Sequence, residues 1–109
     1  MNNYKWWLSK IYTTDSFTQI VAKKAFISFK TAEGRINGNG SCNSFGGKVT
    51  VDGNNLSFGN IFSTKMYCKD VQSIEDEFFR QLQKVTRYEL KEKRLLLFEG
   101  DKLLLEFEE

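Results

Sequence analysis

The sequence predicts a mainly β domain of the α+β class: an antiparallel barrel or strongly curved sheet, with one α-helix packed on it or closing one end. Three observations predict this fold. Short β-like segments follow one another closely, turn-forming residues separate them, and a single segment has the apolar period of a helix. With 109 residues the chain can bury one core, so we expect one domain over residues 1–109. An open α+β sheet is the alternative.

Strand segments are indicated by alternating or continuous apolar residues. Ala25, Ile27 and Phe29 alternate with other residues and are expected to share one face. Residues 52–55 (Asp-Gly-Asn-Asn) predict a hairpin turn, because these residue types tolerate positive φ. The pair Gly46-Gly47 is expected to interrupt the chain. The predicted strands are 4–12, Ala25–Lys30, Arg35–Gly40, 48–51, 56–58, 87–90, Arg94–Glu99 and Lys102–Glu108.

One helix is predicted over residues 74–85. Ser73 is a natural N-cap, and the three acidic residues 75–77 suit the positive end of the helix dipole. The helix is too short to be stable alone, so its apolar stripe is expected to cover the core. That stripe comprises Ile74, Phe78, Leu82 and Val85.

Composition disfavours catalysis, cofactors and nucleic acids. Histidine is absent, which excludes imidazole-based catalysis and zinc sites that need a histidine. Two cysteines cannot form a four-cysteine metal site, and no catalytic, cofactor-binding or metal-binding residue is indicated. The 16 basic and 14 acidic residues are interspersed and give a net charge of +2, far from the basic excess of most nucleic-acid binders. We therefore expect a domain that is not an enzyme.

No apolar run is long enough to span a membrane, and the chain does not open with a secretory signal. The protein is expected either to be cytosolic or to follow a signal that has been removed. Trp6 and Trp7 are neighbours in a predicted strand, so one is expected to point inward and the other outward. These two residues are the candidate partner patch, together with the apolar last hairpin.

Three sequence segments carry a family resemblance. Residues 40–47 read Gly-Ser-Cys-Asn-Ser-Phe-Gly-Gly, and residues 63–68 read Ser-Thr-Lys-Met-Tyr-Cys. Residues 6–8 supply a Trp-Trp-Leu start, and 75–82 supply a helix with Glu and Phe. In this order and spacing, the chain resembles the META domain family, also called the HslJ-like family.

The resemblance implies a lipocalin-like β topology with one helix. It also implies a bacterial cell-envelope setting, often as a lipoprotein and sometimes linked to stress. The expected location is therefore the periplasm or the outer membrane through a lipid anchor, with the cytoplasm as the alternative. The family implies no catalytic reaction and no cofactor.

Cys42 and Cys68 lie in the two motif segments, so the resemblance implies that they are close in space. They are expected either to form a disulfide or to pack as reduced, small apolar residues. The remaining motif residues are expected to be structural, with polar side chains satisfying backbone groups in irregular segments. These are Asn43, Phe45, Gly47, Ser63, Thr64 and Met66.

The function expected from these observations is a non-enzymatic envelope domain that binds another envelope protein or serves in stress. It is expected to be a monomer, to bind no nucleic acid, and to reach a membrane only through a lipid anchor. One alternative is a carrier of small apolar ligands in the barrel. Another is an inhibitor of a secreted hydrolase, whose signature is a protruding loop within residues 60–70 with a charged or aromatic tip.

Overall fold

The computed structural model describes residues 5–12, 17–19 and 25–109. Tyr4, at the start of the first predicted strand, lies outside these residues. The elements follow the chain as β1 (Lys5–Tyr12), β2 (Phe17–Gln19), β3 (Ala25–Lys30), a short 3₁₀ turn (Thr31–Glu33), β4 (Arg35–Gly40), β5 (Ser44–Asp52), β6 (Asn55–Ser63), α1 (Gln72–Leu82), β7 (Arg87–Lys91), β8 (Arg94–Glu99) and β9 (Lys102–Glu108).

Eight antiparallel strands form a closed ring, which confirms the predicted barrel over the open sheet. Strands β3 to β9 pair in chain order, and β1 closes the ring by pairing with both β3 and β9. Strand β2 pairs with the C-terminal half of β1. The β6–β7 junction is the shortest described seam, with the pair Asn55 and Arg87 and two flanking backbone hydrogen bonds. Closure leaves few unpaired strand edges.

The core follows from alternation along the strands. Residues at every second position point inward, so Leu8, Ile27 and Leu97 are fully buried while their neighbours face outward. The helix closes one end of the barrel, where the Phe78 ring lies 6.0 Å from the Phe107 ring, centroid to centroid. It approaches β4 closely at Gly40, where a Cβ atom would lie 2.7 Å from Cγ of Glu75. A larger residue at position 40 therefore forces the helix away from the barrel.

Most predicted strands agree with the structure, and β3, β4, β8 and β9 have the predicted bounds. The predicted interruption at Gly46-Gly47 is wrong, because β5 runs without a break from Ser44 to Asp52. The two glycines instead sit at a register shift against β6. Strand β6 also extends to Ser63, well into a segment that shows no period in the sequence.

The helix begins and ends earlier than predicted. Ser73 is not the N-cap, since the helix starts at Gln72 after Val71, which makes no side-chain cap. A hydrogen-bonded turn at Cys68 directly precedes the helix, because the carbonyl oxygen of Cys68 accepts hydrogen bonds from the N–H groups of Val71 and Gln72. At the other end, Val85 lies beyond the helix but is still buried in the core. The helical stripe is therefore confirmed for Ile74, Phe78 and Leu82, while its fourth predicted member, Val85, and the predicted bounds are wrong.

We expect Phe78→Ala to lower the free energy of unfolding by about 3–5 kcal/mol, because the fully buried ring leaves a cavity between helix and barrel. Phe62→Ala is the matched control: this ring is 69% exposed, and we expect a loss of about 1 kcal/mol or less. Denaturant unfolding followed by circular dichroism measures both. Equal losses in the two variants contradict the packing of the helix described above.

Candidate functional site

The two cysteines form a disulfide that joins the β4–β5 connection to the start of the helical segment. The Cα atoms of Cys42 and Cys68 lie 5.9 Å apart. A loop of this length is expected to stabilise the fold by about 3–4 kcal/mol, mainly by restricting the unfolded chain. The bond fixes both ends of the chain that contains β5, β6 and the loop of residues 64–68, which we call the 64–68 loop.

Asn43 fixes the middle of the 64–68 loop. Its side chain is 3% exposed, and its Nδ2 donates to the carbonyl oxygen of Met66 at 2.9 Å. Its Oδ1 accepts from the Met66 N–H and from the Thr64 hydroxyl, both at 2.8 Å. One amide thus pairs with both backbone groups of Met66, as expected for a structural role in an irregular segment.

Glu75 holds Asn43 in place. Its carboxylate is 1% exposed, and its Oε2 accepts from the backbone N–H groups of Cys42 at 2.9 Å and Asn43 at 2.6 Å. Its Oε1 accepts from Nδ2 of Asn43 at 2.7 Å. Three N–H donors therefore compensate the burial of this carboxylate.

Sequence reasoning missed this role of Glu75, which was assigned to the exposed start of the helix. The signal was available: Glu75 lies three, four and seven residues before Phe78, Phe79 and Leu82, on the apolar face of the helix. An acidic residue on a buried face needs hydrogen-bond donors, and the motif segment around Cys42 supplies them.

The side chains at the tip of the 64–68 loop point into solvent. Met66 is 59% exposed and Tyr67 is 76% exposed, although their backbone is fixed by the disulfide and by Asn43. A hollow of about 420 Å³ lies between this loop and the helix, bordered by Lys65 and Asp76 among others. The arrangement presents two large apolar side chains on an ordered backbone.

The other motif residues lie in the barrel wall. Phe45 is buried and meets the rings of Phe78 and Phe79 edge-on, at centroid distances of 5.7 and 5.2 Å. Gly47 lies at the register shift of β5, and Ser63 pairs with Phe45 across the sheet. These positions support the fold next to the disulfide.

Trp6 does not belong to a partner patch, and this part of the sequence-based prediction is wrong. Its side chain is 2% exposed because its position in β1 faces the core. Trp7 faces outward but is half-buried, with its ring 5.3 Å from the Phe26 ring and the Lys5 ammonium 4.6 Å from the Phe26 centroid. Among the residues that the structure describes, the exposed large apolar side chains lie elsewhere: Val51, Phe62, Met66, Tyr67 and Leu90.

A second buried carboxylate, Glu106, lies on β9. The Tyr12 hydroxyl donates to Glu106 Oε1 at 3.4 Å, and the side-chain nitrogens of Lys10 and Arg94 lie 3.9 Å from Oε2. Partial burial raises the pKa of Tyr12, and the negative charge of Glu106 raises it further. Two nearby cations and a hydroxyl thus accommodate the burial of Glu106, which gives it a structural explanation.

The described residues contain no group of three or more histidine, cysteine, aspartate or glutamate side chains placed to hold a metal ion. In the same part of the chain, no helix has the length and apolar character needed to cross a membrane.

Comparison with known proteins settles the family. The family model described as "META domain" matches residues 1–109. This chain belongs to the META domain family. The match covers the motif segments that the structure brings together at the disulfide, and it confirms the resemblance seen in the sequence. No curated protein matches the chain.

Solved structures share the META domain fold of this chain. An NMR structure of a protein from Burkholderia xenovorans has a TM-score of 0.80 and 20% identity, covering 98% of this chain and 81% of that one. A crystal structure of a DUF4847 family protein from Bacteroides vulgatus ATCC 8482 has a TM-score of 0.71 and 19% identity, covering 95% of this chain and 90% of that one. Identities this low support similarity of fold alone.

We expect Glu75→Gln to lower the free energy of unfolding by about 2–3 kcal/mol. The glutamine amide has one oxygen that can accept and one NH₂ group that donates, so at least one buried N–H donor loses its acceptor. Asp76→Asn is the matched control on the same helix. Asp76 is exposed and its Oδ1 accepts from Nε2 of Gln72 at the surface, so we expect a change of about 1 kcal/mol or less. Chemical denaturation measures both, and equal effects contradict the network centred on Glu75.

Proposed function

We propose that this META domain is a non-enzymatic module of the cell envelope that binds another protein through the 64–68 loop. One observation carries the proposal: Met66 and Tyr67 are largely exposed while hydrogen bonds and a disulfide fix their backbone. Exposed apolar groups on an ordered surface are typical of interaction sites.

A protein partner fits this loop by residue type and by rigidity. Tyrosine and methionine are enriched at protein interfaces, and tyrosine is frequent among residues that dominate binding energy. A loop already ordered in the free protein loses little conformational entropy on binding. Lys65 and Asp76, both exposed at the border of the hollow, supply polar groups of opposite charge around the apolar tip.

The proposed location is the periplasm, or the outer membrane through a lipid anchor. Disulfides persist in oxidising compartments, and the bond between Cys42 and Cys68 supports an envelope location. A stress-related role also stays a proposal. The net charge of +2 supports a partner other than nucleic acid, and we propose a monomer.

A role without catalysis is supported by the residue types in the sequence. The chain has no histidine to act as a general base, and both cysteines are bonded. A role as carrier of apolar ligands has less support than protein binding, because large buried side chains occupy the barrel interior.

A second candidate function is inhibition of a secreted hydrolase. The observation that favours it is again the 64–68 loop, whose tip has the charged Lys65 followed by Met66 and Tyr67. A rigid, protruding loop suits insertion into an active-site cleft, since such interfaces change little on binding.

The compartment is tested by the state of the thiols in the native cell. We expect Cys42 and Cys68 to resist an alkylating reagent under denaturing conditions until a reductant is added, because the two sulfurs are bonded. Intact mass spectrometry before and after reduction counts the labels. Two labels without reduction overturn the envelope location.

The binding role is tested by placing a photo-reactive benzoylphenylalanine at Tyr67 in intact cells. We expect one cross-linked protein of defined mass from this position and none from Leu90, an exposed apolar residue on β7. The partner is then purified and titrated with variants of the chain. Loss of the Tyr67 ring is expected to weaken binding about fivefold or more, because interface tyrosines often contribute over 1 kcal/mol.

Leu90→Ala is the control and is expected to bind like the unmodified chain. Equal binding by Tyr67→Ala and Leu90→Ala contradicts the proposed role of the 64–68 loop. If the partner is a hydrolase, its turnover in the presence of the chain decides between the two candidate functions. If the unmodified chain slows hydrolase turnover and Tyr67→Ala does not, inhibition is supported. If turnover is unchanged by the unmodified chain, binding without inhibition is supported.

A further inference from the structure

Three cations form a row across the outer face of the barrel. Lys30 on β3 lies directly opposite Arg35 on β4, and Arg35 lies directly opposite Lys48 on β5. Residues opposite each other in antiparallel strands point to the same side, and all three are exposed. With strands about 4.8 Å apart, the row spans about 10 Å.

This row opposes the stability of the sheet. Like charges directly opposite each other in a sheet are destabilising. Glu33 lies 3.9 Å from one guanidinium nitrogen of Arg35, but within the part of the chain that the structure describes neither Lys30 nor Lys48 forms an ion pair. Glu33 therefore offsets only part of the repulsion within the row. Local arrangements that oppose stability are characteristic of functional sites.

An exposed aromatic side chain, Phe62, lies next to the cation row. Two residues further along the strands, Asn37, Gly46 and Phe62 are paired across β4, β5 and β6. The Phe62 ring lies down over Gly46, where a Cβ atom would be 2.8 Å from its Cζ. The ring covers the glycine and is still 69% exposed, so it has surface to offer a ligand.

Together these residues line an open groove of about 890 Å³, which is within the range of ligand sites. It combines a positive row, an apolar ring about 7 Å further along the strands, and the exposed amide of Asn37 at the same level of the sheet as that ring. Glu33 also borders the groove, beside Arg35. The polar side chains of Ser44, Asn60 and Ser63 also border the groove. The complementary ligand therefore has negative charges beside an apolar ring face and carries several groups that hydrogen-bond.

We propose that this groove binds an acidic oligosaccharide. Its carboxylates lie on Lys30, Arg35 and Lys48, one sugar ring packs on Phe62, and hydroxyl groups pair with the amide of Asn37, which both donates and accepts.

The sheet itself favours a sugar over a peptide. Strands β4 and β5 are each paired on both sides, so a peptide cannot bind here as an added strand. Recognition must come from side chains, which suits a ligand rich in hydroxyls and charge. This inference goes beyond the proposed protein-binding role and does not depend on it. Thr64 of the 64–68 loop borders the groove, but Met66 and Tyr67, which carry the protein-binding proposal, do not.

The test is titration of the full chain with hexagalacturonate, followed by calorimetry or NMR shifts. We expect saturable binding that weakens with added salt. Lys48→Ala and Phe62→Ala are each expected to lower the affinity about tenfold or more, since one removes a charged contact and the other the ring surface. Lys102→Ala, at an exposed position on β9, is the matched control and is expected to change it less than about twofold.

Stability supplies an independent readout. Because Lys48 lies opposite Arg35, we expect Lys48→Ala to raise the unfolding midpoint while it weakens binding. A merely structural lysine does not produce this combination. Tyr67→Ala is expected to leave hexagalacturonate binding unchanged, so failure here and failure of the protein-binding role are distinguishable.

Three outcomes overturn the proposal. The first is no saturable binding of hexagalacturonate. The second is equal binding of neutral maltohexaose, which removes the role of the cation row. The third is equal binding of an aspartate hexapeptide with no effect of Phe62→Ala, which reduces the groove to a charged surface for acidic peptides.

Discussion

The buried carboxylate of Glu75 is the interaction on which the irregular half of this molecule depends. It accepts N–H donors from Cys42 and Asn43, and Asn43 in turn pairs with both backbone groups of Met66. The helix, the β4–β5 connection and the 64–68 loop therefore meet at one charged group. Losing it leaves several buried N–H donors without partners, which costs more than the deletion of any single neutral hydrogen bond.

The disulfide and the Glu75 network stabilise the same region by different means. The disulfide between Cys42 and Cys68 acts mainly by lowering the conformational entropy of the unfolded chain, which stabilises the fold by about 3–4 kcal/mol. The disulfide does not define the position of the Met66 backbone between Cys42 and Cys68. The hydrogen bonds of Asn43 do so, since they pair directionally with the backbone at 2.8–2.9 Å. A precise loop needs both contributions.

What the sequence could predict is what local patterns determine. Alternation along the chain was enough for the bounds of β3, because the side chains of a strand face opposite sides whatever lies further away. A continuous apolar run was enough for those of β9. The start of the helix depends on a turn closed by the carbonyl oxygen of Cys68, and the burial of Glu75 depends on donors 32 and 33 residues distant. The place of Glu75 on the apolar face of the helix is visible in the sequence, but its distant donors have no signature within a short window. The family motif named the residues at the site, but not their contacts.

Each of the two proposed surfaces lowers the stability of the folded domain. Each like-charge pair in the cation row costs up to about 1 kcal/mol, and an exposed tyrosine at a loop tip forgoes the burial that its ring offers. Strands β4 and β5, which carry Arg35 and Lys48, are paired on both sides, and the loop is fixed by a disulfide. The costs therefore fall on the elements with the strongest support. Placed on the short β6–β7 seam, the same charges would act on a junction with few hydrogen bonds to resist them.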